Sequence, residues 1–365
     1  MSFSTIRFSC GVQLNKHMYV SCLDFNQLCR INPYTDEYVF LGEFPKSDKY
    51  SRELHRNAIV YGETIFFVLQ SKGYIHTYNI KRNRFGIISL HDNTDYDAGF
   101  IGIEIGNKLY MVPQKKGGNI FEVNMDTFES KPIILWNEYC SKLQLTSKEL
   151  LFIRIAGQGN QIYMPIFGGS QILILDVCER KTEIISLEVN NLFGCFKGKD
   201  CIWILANGGN EIFCFDILRK KTKKHEHVPN NESNGRELNW IIESKHSVYA
   251  LPGFGNAIYR LSGDIFENIN MGEVNKCFEG TTNQKCYEPI FDEDNDCIWI
   301  LPREAENMVC IHGDEVRALD KYKQNENSPE LKKRIKHFIE MNKSSILMEK
   351  RDWLLEDFIL GVCML

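Results

Sequence analysis

The 365-residue sequence has no apolar run approaching the ~18 residues that a membrane-spanning helix needs, so no membrane role is expected. Its start, Met1-Ser2-Phe3-Ser4-Thr5-Ile6-Arg7, lacks a basic stretch followed by an apolar segment. No secretory leader is read there, and a cytoplasmic location is expected. Basic charge is not in excess: the net charge is −5, which argues against a nucleic-acid partner. No CxxC occurs, which speaks against a zinc ribbon or a thioredoxin-type site. GxSxG, HExxH and phosphate-loop patterns are also missing. No cofactor and no metal are therefore expected. Thirteen cysteines are present, an odd number that a full disulfide framework would not use up. They are read mainly as buried thiols acting as small apolar residues. The chain is 43% hydrophobic and 25% charged, an ordinary globular composition.

What the sequence does have is a repeat. An aromatic residue inside a short apolar strand recurs at Tyr19, Phe66, Tyr110, Tyr163, Trp203, Tyr249 and Trp299, at intervals of 40–53 residues. A second strand opens nine residues on, or ten in one case, at Leu28, Ile75, Ile120, Ile172, Ile212, Ile258 and Met308. Four residues further stand Asn32, Asn79, Asn124, Asp176, Asp216, Ser262 and His312, mostly turn formers suited to a strand end. Asp200-Cys201-Ile202-Trp203-Ile204-Leu205 returns as Asp296-Cys297-Ile298-Trp299-Ile300-Leu301. Tight turns such as Gly106-Asn107 and Gly159-Asn160 precede the aromatic strand, and a polar turn leads to a fourth strand.

Four short antiparallel strands per repeat of this length is the pattern of a β-propeller blade. The expected fold is all-β: a propeller of four-stranded antiparallel blades, seven of them or alternatively six, over residues 1–322. The short N-terminal strand Thr5–Phe8 is expected to pair with the last blade. In its aromatic second strand after a glycine turn, the sequence resembles kelch-type β-propellers. The double glycine of that family falls later here, as Gly117-Gly118, Gly168-Gly169 and Gly208-Gly209. The resemblance implies the fold and carries over no function. A WD-repeat reading lacks its Trp-Asp dipeptide.

Residues 323–365 leave the repeat and are read as a helical C-terminal extension. Leu331, Ile335, Phe338 and Ile339 share one helical face, and Trp353, Leu354, Leu355, Phe358, Ile359 and Val362 follow at similar spacing. The insert from Trp136 to Leu150 allows a further short helix.

Polar residues near the start of innermost strands are the candidates for a ligand site at the channel: His55, Arg56, Asn57, Arg154, Asn239, Trp240 and Glu288. The inter-blade loops add Arg52, Glu53, His91, Asp92, Asp95, Asp97 and Arg236. Converging Arg, His and acidic groups suit an anionic or polar ligand. Other patterns read as structure. Asp292-Glu293-Asp294-Asn295-Asp296 alternates acids like a calcium loop but lacks the following glycine and distal glutamate, so an acidic hairpin turn is expected. His225 and His227 alternate on a strand whose lysines are read as an exposed edge. The function expected is recognition of a protein or peptide partner through channel-face loops. The alternative is an enzyme, a lyase, hydrolase or cyclase, acting in the channel on a carbohydrate or peptide.

Overall fold

The computed structural model describes residues 8–319 except 24–25, 36, 48–50, 52–53, 70–73, 91–98, 115–118, 136–151, 228–237, 254, 256, 273, 275–287 and 302–307. The expected pairing of Thr5–Phe8, the helix within 136–150, the C-terminal helices and the seven charged loop residues named above fall wholly or mainly outside the described residues. Phe8 itself pairs with Cys22, within the first sheet.

Strand follows strand along the chain. The first sheet runs β1 (Phe8–Leu14), β2 (His17–Cys22), β3 (Leu28–Asn32), β4 (Glu37–Gly42). The second is β5 (His55–Tyr61), β6 (Thr64–Leu69), β7 (Tyr74–Asn79), β8 (Arg84–Ser89). The third is β9 (Phe100–Ile105), β10 (Lys108–Pro113), β11 (Asn119–Asn124), β12 (Ser130–Leu135). The fourth is β13 (Ala156–Gln158), β14 (Gln161–Pro165), β15 (Gln171–Asp176), β16 (Lys181–Ser186). Then come β17 (Leu192–Lys197), β18 (Cys201–Ala206), β19 (Glu211–Asp216), β20 (Lys221–His227), and β21 (Leu238–Glu243), β22 (Val248–Pro252), β23 (Tyr259–Ser262), β24 (Ile265–Asn268). The last sheet is β25 (Ile290–Asp292), β26 (Cys297–Ile300), β27 (Met308–His312), β28 (Glu315–Leu319). Among the described residues helical structure is limited to 3-10 turns, at Asn207–Gly209 and at Gly272 and Val274.

The chain is an all-β propeller of four-stranded antiparallel blades. The expected ring of seven, or six, separate blades is corrected. Five blades stand as separate four-stranded sheets, and the strands from β17 to β24 form one eight-stranded sheet. The cause is a parallel pairing between two outer strands, Glu226 with Ile265 and His227 with Phe266. That pairing also corrects the reading of the Lys221–His227 strand as an exposed edge. Two of its cations are matched by acids, Lys223 with Asp264 of the β23–β24 turn and Lys224 with Glu211 of β19. His225 is buried against Trp203 and Phe266.

The seven turn formers Asn32, Asn79, Asn124, Asp176, Asp216, Ser262 and His312 are each the last residue of a third strand. Five of their side chains accept hydrogen bonds from the turn that follows: Asn32 Oδ1 from the Tyr34 amide at 3.0 Å, and Asp176 Oδ1 from the Glu179 amide at 2.8 Å, for example. Asn79, Asn124 and Asp216 do the same. A side-chain oxygen here satisfies amides that the ending ladder leaves open. Second strands are buried on both faces, as in β6, whereas the fourth strand β16 is largely exposed.

Burial is organised between sheets rather than around one centre. Each of the seven aromatic residues lies in a different apolar cluster, and the first six face the next four-stranded unit along the chain. Tyr19 packs with Ile65 and Phe67, Tyr110 with Ile162 and Met164, and Tyr163 with Ile202 and Ile204. Trp299 completes the circuit, packing on Met18, Val20 and Ile31 of the first sheet. Tyr34 adds an edge-on contact to Trp299 at 6.1 Å and a 3.0 Å hydrogen bond to Asp292 Oδ2. The acidic run is thus a hairpin turn, with Asp292 also accepting from Asn295.

Trp299→Ala should cost about 3–5 kcal/mol, the usual loss for a buried aromatic. Leu218, 94% exposed, provides the control: Leu218→Ala should stay within about 0.5 kcal/mol. Urea unfolding of the two variants beside wild type measures both.

Candidate functional site

Innermost strands lie closest to the axis, and the space there is tight. A Cβ on Gly102 of β9 would meet a Val68 methyl at 2.6 Å and Leu109 at 3.0 Å. At Gly194 of β17 the obstacle is Arg154 Cβ, at 2.7 Å. Glycine at these positions lets the strands approach, and it leaves room for a few long side chains.

Register shows which side chains share a level. The partners of Tyr163, Tyr249 and Trp299 are Ala156, Ile242 and Ile290. Two residues before each stand Arg154, Trp240 and Glu288, so the three are equivalent by position. Arg56 reaches the same centre differently. The β5–β6 register slips between His55 and Asn57, leaving Arg56 at a bulge. Bulges re-aim single side chains in this way.

Contacts among these residues skip sheets, as only groups at the axis can. Arg56 Nη2 donates to the Ile153 carbonyl at 3.3 Å. Arg154 Nη1 donates to the same oxygen at 3.4 Å. The Arg154 guanidinium lies over the Trp240 ring, 4.4 Å from its centroid, a cation–π geometry. The Glu288 carboxyl is buried close to the Ala58 backbone amide, which favours its charged form. Its Oε2 is sealed from solvent and has no hydrogen-bond partner among the described residues. Burial pushes the Glu288 carboxyl up to about 8, against the opposing pull of Arg154 and then Arg56. Two guanidinium groups therefore meet at one carbonyl oxygen beside a carboxyl that is largely protonated at neutral pH. Of these named side chains, two carry guanidinium groups and one a carboxyl.

The other three sequence candidates are placed elsewhere. His55 is buried, its Nδ1 2.7 Å from Ser21 Oγ and its Nε2 2.8 Å from His76 Nδ1. His76 Nε2 faces the Pro45 carbonyl at 2.8 Å. A carbonyl only accepts, so with both rings neutral His76 Nε2 donates to it. His55 Nε2 then donates to His76 Nδ1, and Ser21 donates to His55. Burial first, and the neighbouring His76 second, hold the His55 ring well below the usual histidine range. Phe44 packs on both rings, at 4.3 Å and 5.0 Å. Asn57 is a clamp between innermost strands, donating to Gly102 O at 2.9 Å and accepting from Gly102 N at 3.2 Å. Asn239 is buried, and the register of β21 slips beside it, between Leu238 and Trp240.

The Ser21 and His76 members of this buried chain were not singled out in the sequence, where each is an ordinary polar residue within an apolar strand. The Ile153 carbonyl carries no side-chain signal at all. Among the described residues, no three His, Cys, Asp or Glu side chains are grouped to hold a metal ion.

No family model and no curated protein sequence matches the chain. Solved structures do match in fold. One is YCF48 bound to D1 peptide, 12% identical, TM-score 0.59, covering 82% of this chain and 92% of that one. A chain of the mitotic checkpoint complex is 11% identical, with a TM-score of 0.54 and 85% of each chain covered. PorZ, a surface component of the type-IX secretion system of Porphyromonas gingivalis, is 12% identical with a TM-score of 0.58. The match covers 86% of this chain and 38% of PorZ. At these identities the likeness establishes the propeller fold.

Glu288 gives stability a definite pH dependence. Its folded-state value lies above the ordinary 4.5, so between 4.5 and about 8 the unfolded chain has released a proton that the folded one keeps. Its contribution is whole below 4.5 and is lost as pH rises through about 8. Relative to Glu288→Gln, wild type should lose stability steadily across that window and level off above it. Melting temperatures of the two proteins against pH measure this; parallel curves would contradict the buried carboxyl.

Proposed function

We propose that this protein is a recognition propeller that binds a protein or peptide partner at its channel face, through a carboxylate of that partner. The observation that carries the reading is the meeting of Arg56 and Arg154 on the Ile153 carbonyl, with Arg154 stacked on Trp240 and Glu288 alongside. Guanidinium groups pair with carboxylates through two parallel hydrogen bonds, and a stacked guanidinium is held ready to do so. Indole supplies apolar surface next to the charge, the usual composition of an energetic hot spot.

The propeller fold agrees with an interaction module, and two structural neighbours are themselves seen with partners: YCF48 with D1 peptide and a chain of the mitotic checkpoint complex. The reading includes a kelch-like repeat, supported by the aromatic second strand of each unit, and a cytoplasmic location. It also assigns residues 323–365 to a helical extension that docks on the propeller or on the partner. Chemistry on a carbohydrate or peptide is the competing role. The recognition reading is preferred because the centre joins one carboxyl to two guanidinium groups, with no second carboxylate beside them among the described residues.

Peptides selected from a random displayed library against the full chain, then synthesised as free acids and with their carboxylates blocked, provide the test. Binding should weaken at least about tenfold in Arg154→Ala and on blocking the carboxylate, a loss of roughly 1.4 kcal/mol. Unchanged affinity in Arg154→Ala and Trp240→Ala, or turnover of the peptides, would overturn the reading.

A further inference from the structure

The cysteines of the duplicated Asp-Cys-Ile-Trp segment hold a chemical asymmetry. In the β18–β19 ladder Trp203 pairs with Cys214 and Cys201 with Asp216, so Cys201 and Cys214 are diagonal neighbours on one face. The last sheet repeats this arrangement with Trp299 opposite Cys310 and Cys297 two residues before Trp299. In the last sheet the Cys297 thiol donates to the Asn295 carbonyl at 3.3 Å.

Burial separates the two pairs. Cys297 and Cys310 are buried, whereas Cys201 and Cys214 are both partly open to solvent. On the far side of Cys214, its register partner in β20 is Lys223, and His225 stands two residues on, on the same face. Cys214 thus lies between the diagonal thiol of Cys201 and a basic strand.

We propose that Cys201 and Cys214 are a peroxide-reactive dithiol, with Cys214 the attacking sulfur and Cys201 the resolving one, which closes to a disulfide across β18 and β19. The Cys214 thiolate attacks one oxygen of hydrogen peroxide, the O–O bond breaks, and hydroxide leaves with the electron pair. Cys214 is then a sulfenic acid. The sulfur of Cys201 displaces its hydroxyl, which departs as water with the Cys201 proton. In net terms two thiols are oxidised to a disulfide and one peroxide is reduced to two waters.

The charges around the sulfurs favour these roles. The neighbouring Cys201 thiol and then the proximity of His225 hold the Cys214 thiol below its ordinary range, despite the opposing effect of burial. Cys201 is raised, by the neighbouring Cys214 and by burial, with Glu243 and Asp200 adding to it, and so keeps its proton for the second step. In the last sheet burial pushes Cys310 up to about 12 and also raises Cys297. A thiolate is the reactive form, so the same spacing gives one reactive pair and one inert pair.

The experiment uses the full, folded chain treated with limiting hydrogen peroxide, alkylated, digested with trypsin and analysed by mass spectrometry. Cys201 and Cys214 fall on one peptide, between Lys199 and Arg219, so their disulfide appears as the loss of two hydrogens. Exposed Cys178 lies on another peptide and is read separately. The disulfide should form at least about tenfold faster than any oxidation of Cys297 or Cys310. In Cys201→Ser, a dimedone adduct should accumulate on Cys214; in Cys214→Ser, Cys201 should stay a thiol. Equal oxidation of the two pairs in wild type, or a Cys201 in Cys214→Ser as reactive as Cys214 in Cys201→Ser, would overturn the proposal.

Discussion

Each sheet of this protein is sealed to the next by an aromatic ring from its second strand, and the remaining architecture depends on that contact. A four-stranded sheet with two apolar faces cannot be stable alone in water. Here the apolar clusters form between neighbours, with one of the seven aromatic residues in each. The direction is constant, since every ring before the last faces the four-stranded unit that follows. Trp299 has no later sheet to face and packs on the first instead, which closes the circuit. Stability is therefore spread around the ring, and the closing contact joins the most distant parts of the chain.

Closure in turn creates the site. Sheets that pack face to face around an axis must crowd their innermost strands, and this chain answers with glycine at Gly102 and Gly194 and with register slips beside Arg56 and Asn239. The first device makes space; the second turns single side chains. Together they allow Arg56, Arg154, Trp240 and Glu288, which come from four different parts of the chain, to share one small volume. Burial keeps Glu288 protonated there, so the two guanidinium groups are not neutralised by it. A rigid ring thereby holds together charges that would separate in a flexible one.

Local patterns were legible in the sequence. The aromatic spacing located the second strands, and Asn79, Asn124 and Asp176 marked third-strand ends because their side chains cap the turn through local hydrogen bonds. The union of two units into one eight-stranded sheet was not legible. It depends on Glu226–His227 meeting Ile265–Phe266, a pairing of two residues on each side that only the placement of whole sheets brings about. The candidate site was legible in part for a similar reason. His55 and Arg56 are adjacent and both basic, and a bulge sends one into a buried chain with Ser21 and His76 and the other to the axis. Equivalence of the two cysteine pairs could be read from the duplicated segment. Their difference in exposure could not, because it is set by the neighbouring sheets.

Recognition is proposed to occur at the axis, on the centre built by Arg56 and Arg154. A crystal structure of the full chain with a tightly bound selected peptide tests it most directly. A carboxylate of the peptide should lie on the two guanidinium groups, with the adjoining chain against Trp240. A peptide seated instead on an outer strand such as β16, with the axis untouched, would contradict it.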